Sequence, residues 1–204
     1  MLKDTSIELF LDDLASRKPT PSGGSSAAIM GAMGAALVSM VCNLTIGRAQ
    51  YRDFEEELKS VLTKAEELRR ELTKLIEEDV QAFDAVMRAY RMPRLTKGET
   101  ATRAQVIQTA LKMVTLVPMR CCRACREVIT LGSVVGEKGN RNVVSDAGVA
   151  AVAAYAALRS AALNVFTNVI TDRIFAEEQL AELEQLKAAT ATEASYQVVK
   201  EKLG

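Results

Sequence analysis

The 204 residues suffice for one domain with a sizeable core, and 49% hydrophobic with 25% charged residues excludes a disordered chain. The 26 basic and 26 acidic side chains cancel and aromatics make up only 4%, so neither charge nor stacking capacity points to nucleic acid. Histidine is absent, which rules out a Ser-His-Asp arrangement and leaves Asp, Glu, Cys, Lys or Tyr as possible general bases.

Helical spacing begins at Thr5, where Glu8 completes a capping box, and runs to about Lys18. Ile7, Leu11 and Leu14 recur at three- and four-residue steps, with Leu9 and Phe10 widening the stripe. Thr20 to Ser25 reads as a loop, followed by a helix of small residues from about Ser26 to Thr45. A long charged amphipathic helix spans about Tyr51 to Arg91 and stops before Pro93. The next covers Lys97 to Gly132, broken or kinked at Pro118. The turn GEKGNRN leads to a second small-residue helix from about Ser145 to Thr171, and an amphipathic helix from about Ala176 to Lys202 ends the chain. The class is all-α: one domain over residues 1–204, a bundle of long antiparallel helices around buried small-residue central helices.

Either small-residue helix could be taken for a membrane span. The first draws its hydropathy from Ala, Gly, Met and Ser without an aromatic belt, and the second carries Asp146, Arg159, Asn164 and Asn168, costly groups in lipid. Both are expected to be buried in protein, not membrane. The opening MLKDTSIELFLDDLA is charged and amphipathic, unlike a signal peptide. Cys42, Cys121, Cys122 and Cys125 do not have the spacing of a disulfide framework, and CCRAC has no partner ligands for a metal. Buried thiols and a cytoplasmic location are the expectation.

Leu72, Leu75, Ile76, Phe83, Val86, Met87 and Tyr90 form one apolar stripe on the long charged helix, and Asp79 falls inside it. A carboxylate on that face needs a partner, a ligand or a cavity, and burial raises its pKa toward the range useful for proton transfer. It is either a structural group that caps a neighbouring helix or pairs with an arginine, or a catalytic one. Asn140, Asn142, Ser145 and Asp146 cluster where a helix opens, with Ser145 as N-cap; they are either a helix start or a polar rim for a flat heterocycle. Asn164 and Asn168 share a face four residues apart and either bond across helices or line one pocket.

Four segments in order, PTPSGGSSAAIMGAMGAALVSMVCNLTIGR, EEDVQAFDAVMRAYRMPR, VPMRCCRACREV and GNRNVVSDAGVAAVAAYAALRSAALNVFTNV, resemble the cyclodeaminase/cyclohydrolase family of folate enzymes over nearly the whole chain. The resemblance implies an all-helical homodimer with the folate site at or near the subunit interface, needing no metal and no cofactor beyond its tetrahydrofolate substrate. It implies hydrolysis of 5,10-methenyltetrahydrofolate to 10-formyltetrahydrofolate, with cyclodeamination of the formimino compound and a non-enzymatic interaction protein as the other readings. The family's catalytic aspartate falls on Asp79 of DVQAF. Pro21, Gly23, Gly24, Ser25 and Phe83 fall near the substrate, Asn140, Asn142, Ser145 and Asp146 at its pterin edge, and Arg48 and Lys138 at its glutamate tail. Ser22 stands where the family has glycine, and a position needing φ > 0 would strain it.

Overall fold

The structure is a computed structural model that describes residues 2–168 and 173–188. Every regular element among them is helical, so the all-α class holds. The first helix, α1 (Ile7–Ala15), starts two residues later than the spacing predicts. Ser6 is its N-cap, accepting from the Leu9 N–H at 3.1 Å, while the Thr5 hydroxyl donates to the Leu2 carbonyl at 2.7 Å; Thr5 and Glu8 therefore form no capping box. Of its apolar stripe only Phe10 is buried, and Ile7 is 80% exposed.

The small-residue helix α2 (Gly23–Asn43) also differs from expectation: Gly23, Gly24 and Ser25 form its first turn and are not part of a loop. Ser22 is its N-cap at φ −138°, extended backbone that any residue adopts, so a serine there is unstrained. A 3-10 segment, Ala49–Phe54, precedes α3 (Glu55–Tyr90). On α3 Leu72, Leu75, Ile76 and Val86 are buried and Phe83 and Met87 half-buried. Tyr90 leaves the predicted stripe and is 47% exposed at the helix end.

Helix α4 (Lys97–Lys138) begins with a reciprocal capping box between Thr96 and Glu99 and runs unbroken past Gly132. Pro118 should interrupt it, because its nitrogen cannot donate to the Val114 carbonyl one turn earlier. The Asn168 side-chain amide supplies that donor at 3.0 Å, and the Thr115 hydroxyl donates to the Asn168 carbonyl at 3.2 Å. Asn168 thus bonds across helices. A 3-10 turn, Arg141–Val143, opens α5 (Val144–Asn168). Asn140 caps that turn, accepting from the Asn142 N–H at 3.0 Å, and Ser145 lies inside α5, so it is not the N-cap. The predicted end of this helix at Thr171 lies outside the described residues, as does the last helix beyond α6 (Arg173–Ala188).

Helix α2 is packed by α3, α4 and α5. A Cβ on Gly34 would lie 2.9 Å from the Ala150 carbonyl and 3.3 Å from the Ala154 Cβ, so only glycine lets α2 and α5 approach this closely. Burying α2's alanines and valines on three sides supplies the hydrophobic stabilisation that its weak amphipathicity does not advertise. Residues 23–43 and 141–168 are long and apolar enough to cross a bilayer, yet both are core helices of this bundle. The cysteines are buried thiols, and burial holds Cys42 up at about 11.

Candidate active site

Asp79 projects from α3 onto the N-terminus of α2. Its Oδ2 accepts from the Ser25 hydroxyl at 2.8 Å and, more weakly, from the Ser22 hydroxyl at 3.5 Å. No arginine closes on it among the described ion pairs. Ser22 uses no side chain to cap its own helix, and the Ser25 backbone N–H of the first turn meets a carboxylate from another helix instead. Gly24 makes this possible: a Cβ there would lie 2.6 Å from the Asp79 Cγ and 2.8 Å from Oδ2, inside the carboxylate.

The half-buried carboxylate titrates above the ordinary aspartate range because burial penalises the anion. The Ser25 hydroxyl, its backbone N–H and the Ser22 hydroxyl pull the other way without winning. The geometry shows the helix-capping contact of the structural alternative, together with the raised pKa expected from burial. A carboxylate held in one orientation and titrating above its ordinary range is suited to taking up and returning a proton.

The other predicted residues divide into two groups. Pro21, Gly23, Gly24, Ser25 and Phe83 lie at the Asp79 end of the bundle, Phe83 one helical turn after Asp79 beside Pro19 and Met87. Gly24 and Ser25 are buried and face Asp79, whereas Gly23 is exposed. Arg48, Lys138, Asn140, Asn142, Ser145 and Asp146 lie at the other end of α2, where the Asn140 amide donates to the Leu44 carbonyl at 3.0 Å. At roughly 1.5 Å per residue, α2 separates Gly24 from Asn43 by about 30 Å. One chain does not bring both groups to one ligand.

Asn140 is buried and its N–H donates to Thr45 Oγ1 at 2.9 Å, so its polar atoms are engaged within the chain. Lys138 pairs with Glu57 at 2.5 Å, and Arg48 is exposed. Two residues absent from the predicted site belong to the Asp79 end. Ser22 reaches the carboxylate itself, and Asn164 lies 3.9 Å from where a Gly23 Cβ would be. The polar position of Asn164 on a small-residue helix was the available signal. A cavity of about 910 Å³ on the outer side of α3 and α4 is lined by Lys74, Glu78 and Arg120 but not Asp79. Its lining cations are already paired, Arg120 with Glu71 and Glu78, Lys74 with Glu78, Lys3 with Asp4, and Arg69 and Arg70 with Glu66.

Residues 6–185 match the family model described as formiminotransferase-cyclodeaminase. The chain is 59% identical over its full length to the methenyltetrahydrofolate cyclohydrolase of Methylorubrum extorquens, all of which is covered. It is 31% identical to the formimidoyltransferase-cyclodeaminase of Mus musculus over 95% of this chain but 36% of that one. Its fold matches the crystal structure of a formiminotetrahydrofolate cyclodeaminase from Thermotoga maritima with a TM-score of 0.85 and 35% identity, over 100% of this chain and 98% of that one.

Proposed function

The chain belongs to the formiminotransferase-cyclodeaminase family, and from that premise we propose that it hydrolyses 5,10-methenyltetrahydrofolate to 10-formyltetrahydrofolate with Asp79 as general acid–base. The full-length 59% identity to a methenyltetrahydrofolate cyclohydrolase carries the choice of reaction. The bridging carbon of the substrate is an amidinium-like electrophile, so the reaction needs no metal and no cofactor beyond the folate. Water adds to that carbon as Asp79 takes one of its protons. The tetrahedral carbinolamine then breaks its bond to N5, Asp79 returns the proton to N5, and the carbinol O–H proton leaves as the formyl C=O forms on N10. Net, one water is consumed and one proton released. The anionic carboxylate also attracts the cationic substrate before the transfer.

A homodimer of antiparallel bundles fits the two separated groups of site residues. Gly23 lies by Asn164 and Gly34 by Ala150 and Ala154, which supports opposite directions for α2 and α5. Their outer faces leave Met33 57% and Leu163 66% exposed, together with Val149, Val152 and Phe166. A second copy covering this apolar face about a two-fold axis near the middle of α2 would lay Arg48, Lys138, Asn142, Ser145 and Asp146 of one protomer toward Asp79 of the other. In this reading Gly23 and Phe83 border the pterin, Asn142, Ser145 and Asp146 bond its edge, and Arg48 and Lys138 meet the glutamate tail. Asn140 holds their loop. The balanced charge supports a small-molecule ligand over nucleic acid, and the packing of α2 and α5 against the other helices supports bundle helices over membrane spans, in keeping with a cytoplasmic location.

Replacing Asp79 by Asn keeps the shape and removes the base, and should slow hydrolysis at least about a hundredfold. The loss of methenyltetrahydrofolate absorbance, corrected for spontaneous hydrolysis, measures it; unaltered turnover defeats the assignment. Cyclodeamination is the second reading, favoured by the Thermotoga maritima likeness. Ammonia release from the formimino compound faster than hydrolysis of the methenyl compound would reverse the order.

A further inference from the structure

The family resemblance places the glycine–serine segment against the substrate, but in the structure its atoms turn inward. Ser25 is fully buried, and its hydroxyl donates to Asp79 Oδ2 at 2.8 Å with the Ile76 carbonyl a poorer acceptor at 3.4 Å. Gly24 is buried beneath the same carboxylate, where any side chain would overlap it. Gly23 is the one residue of this first turn that faces outward.

We infer that Ser25 is a positioning residue for the acid–base group and does not touch the folate: its buried hydroxyl, set in the first turn of α2 over the Gly24 backbone, fixes the Asp79 carboxylate in the orientation it uses. This deepens the reading of Asp79 as general acid–base and rests on it. The arrangement has a physical logic. A carboxylate on a long helix has several rotamers, and a hydroxyl anchored in the first turn of a second, rigid helix selects one of them. The hydroxyl also favours the anion, opposing the effect of burial, so the group stays ionised to lower pH than it would unaided.

The test uses the intact chain, methenyltetrahydrofolate absorbance, and the variants Ser25→Ala, Ser25→Cys, Asp79→Asn and the Ser25→Ala/Asp79→Asn pair. Ser25→Ala should lower kcat roughly 10- to 100-fold, the scale of a lost hydrogen bond to a charged group. KM should hold within about threefold, because removing a contact made to the base and not to the substrate leaves ground-state binding in place. The acidic limb of the pH–rate profile should move to higher pH. Ser25→Cys, close in volume and a weak donor, should shift both readouts in the same direction, and it carries the measurement if the alanine variant does not fold. In the Asp79→Asn background Ser25→Ala should cost less than about twofold more, since the two act as one unit. A raised KM with kcat and the acidic limb unchanged would show that Ser25 binds substrate and would overturn the inference. A full, additive loss in the Asp79→Asn background would do the same while leaving the Asp79 reading intact. Wild-type turnover in Asp79→Asn alone would instead remove the acid–base reading itself.

Discussion

Substituting Gly24 by Ala separates stability from activity. The added methyl would sit 2.6 Å from the Asp79 Cγ, so the carboxylate has to swing off the α2 N-terminus and abandon its bond to Ser25. Losing a hydrogen bond to a charged group costs about 1.5–3 kcal/mol. Ala in a helix gains about 1 kcal/mol over Gly, and somewhat less in a first turn. The net loss is therefore about 0.5–2 kcal/mol, which lowers Tm by only about 1–8 °C in a chain of this size. The rate responds differently: moving a reacting group by about 1 Å costs on the order of a hundredfold. Gly24→Ala should thus melt within a few degrees of the parent in calorimetry while losing most of its methenyltetrahydrofolate hydrolysis. Turnover within about threefold of the parent would refute the argument that Asp79 must lie over the α2 backbone.

Because burial raises the Asp79 pKa, its contribution to stability is fully present below the ordinary carboxylate range and is lost as pH rises through the folded value. The stability of the parent relative to Asp79→Asn should accordingly fall as pH rises from the ordinary carboxylate range, about pH 4, through the raised folded value, and paired melts along that rise would show it; a constant difference would mean that burial does not govern this group. Asn168→Leu should cost about 1–3 kcal/mol in denaturant unfolding by orphaning the Val114 carbonyl, and much less in a Pro118→Ala background, where the helix restores its own donor. Equal costs in the two backgrounds would break the link between Pro118 and Asn168. Val152→Glu on the exposed α5 face should turn a dimer into a monomer by light scattering at micromolar concentration and reduce turnover with it; a dimer that persists would move the interface elsewhere.

Among the described residues the number and order of the long helices are legible, from three- and four-residue spacing on α3 and from the glycine and proline breaks that bound the small-residue helices α2 and α5. The start of α2 is not. Two adjacent glycines read as a loop, and what lets a helix begin there is an acceptor arriving from Asp79, 54 residues along the chain from Ser25. Asp79 itself stands out because a charge on an apolar stripe is an anomaly visible in one dimension. Which atoms it meets depends on the close passage of α2 and α3, which no spacing records. The stripe on α1 has the opposite fate: amphipathicity announces that Ile7 and Leu11 can pack, yet within one chain both remain exposed. Periodicity identifies a sticky face without naming the surface that receives it.

The proline in α4 has a consequence for how the Asp79 end of the bundle is built. A missing donor at residue 118 leaves the Val114 carbonyl as a hungry oxygen inside a long rod, and Asn168, the last described residue of α5, is the one that feeds it. That stitch anchors this stretch of α5 lengthwise, and Asn164 sits one turn back from it, beside Gly23. A flaw in one helix thus serves as an address for another, and the Asn164 side chain beside Gly23 inherits its position from it.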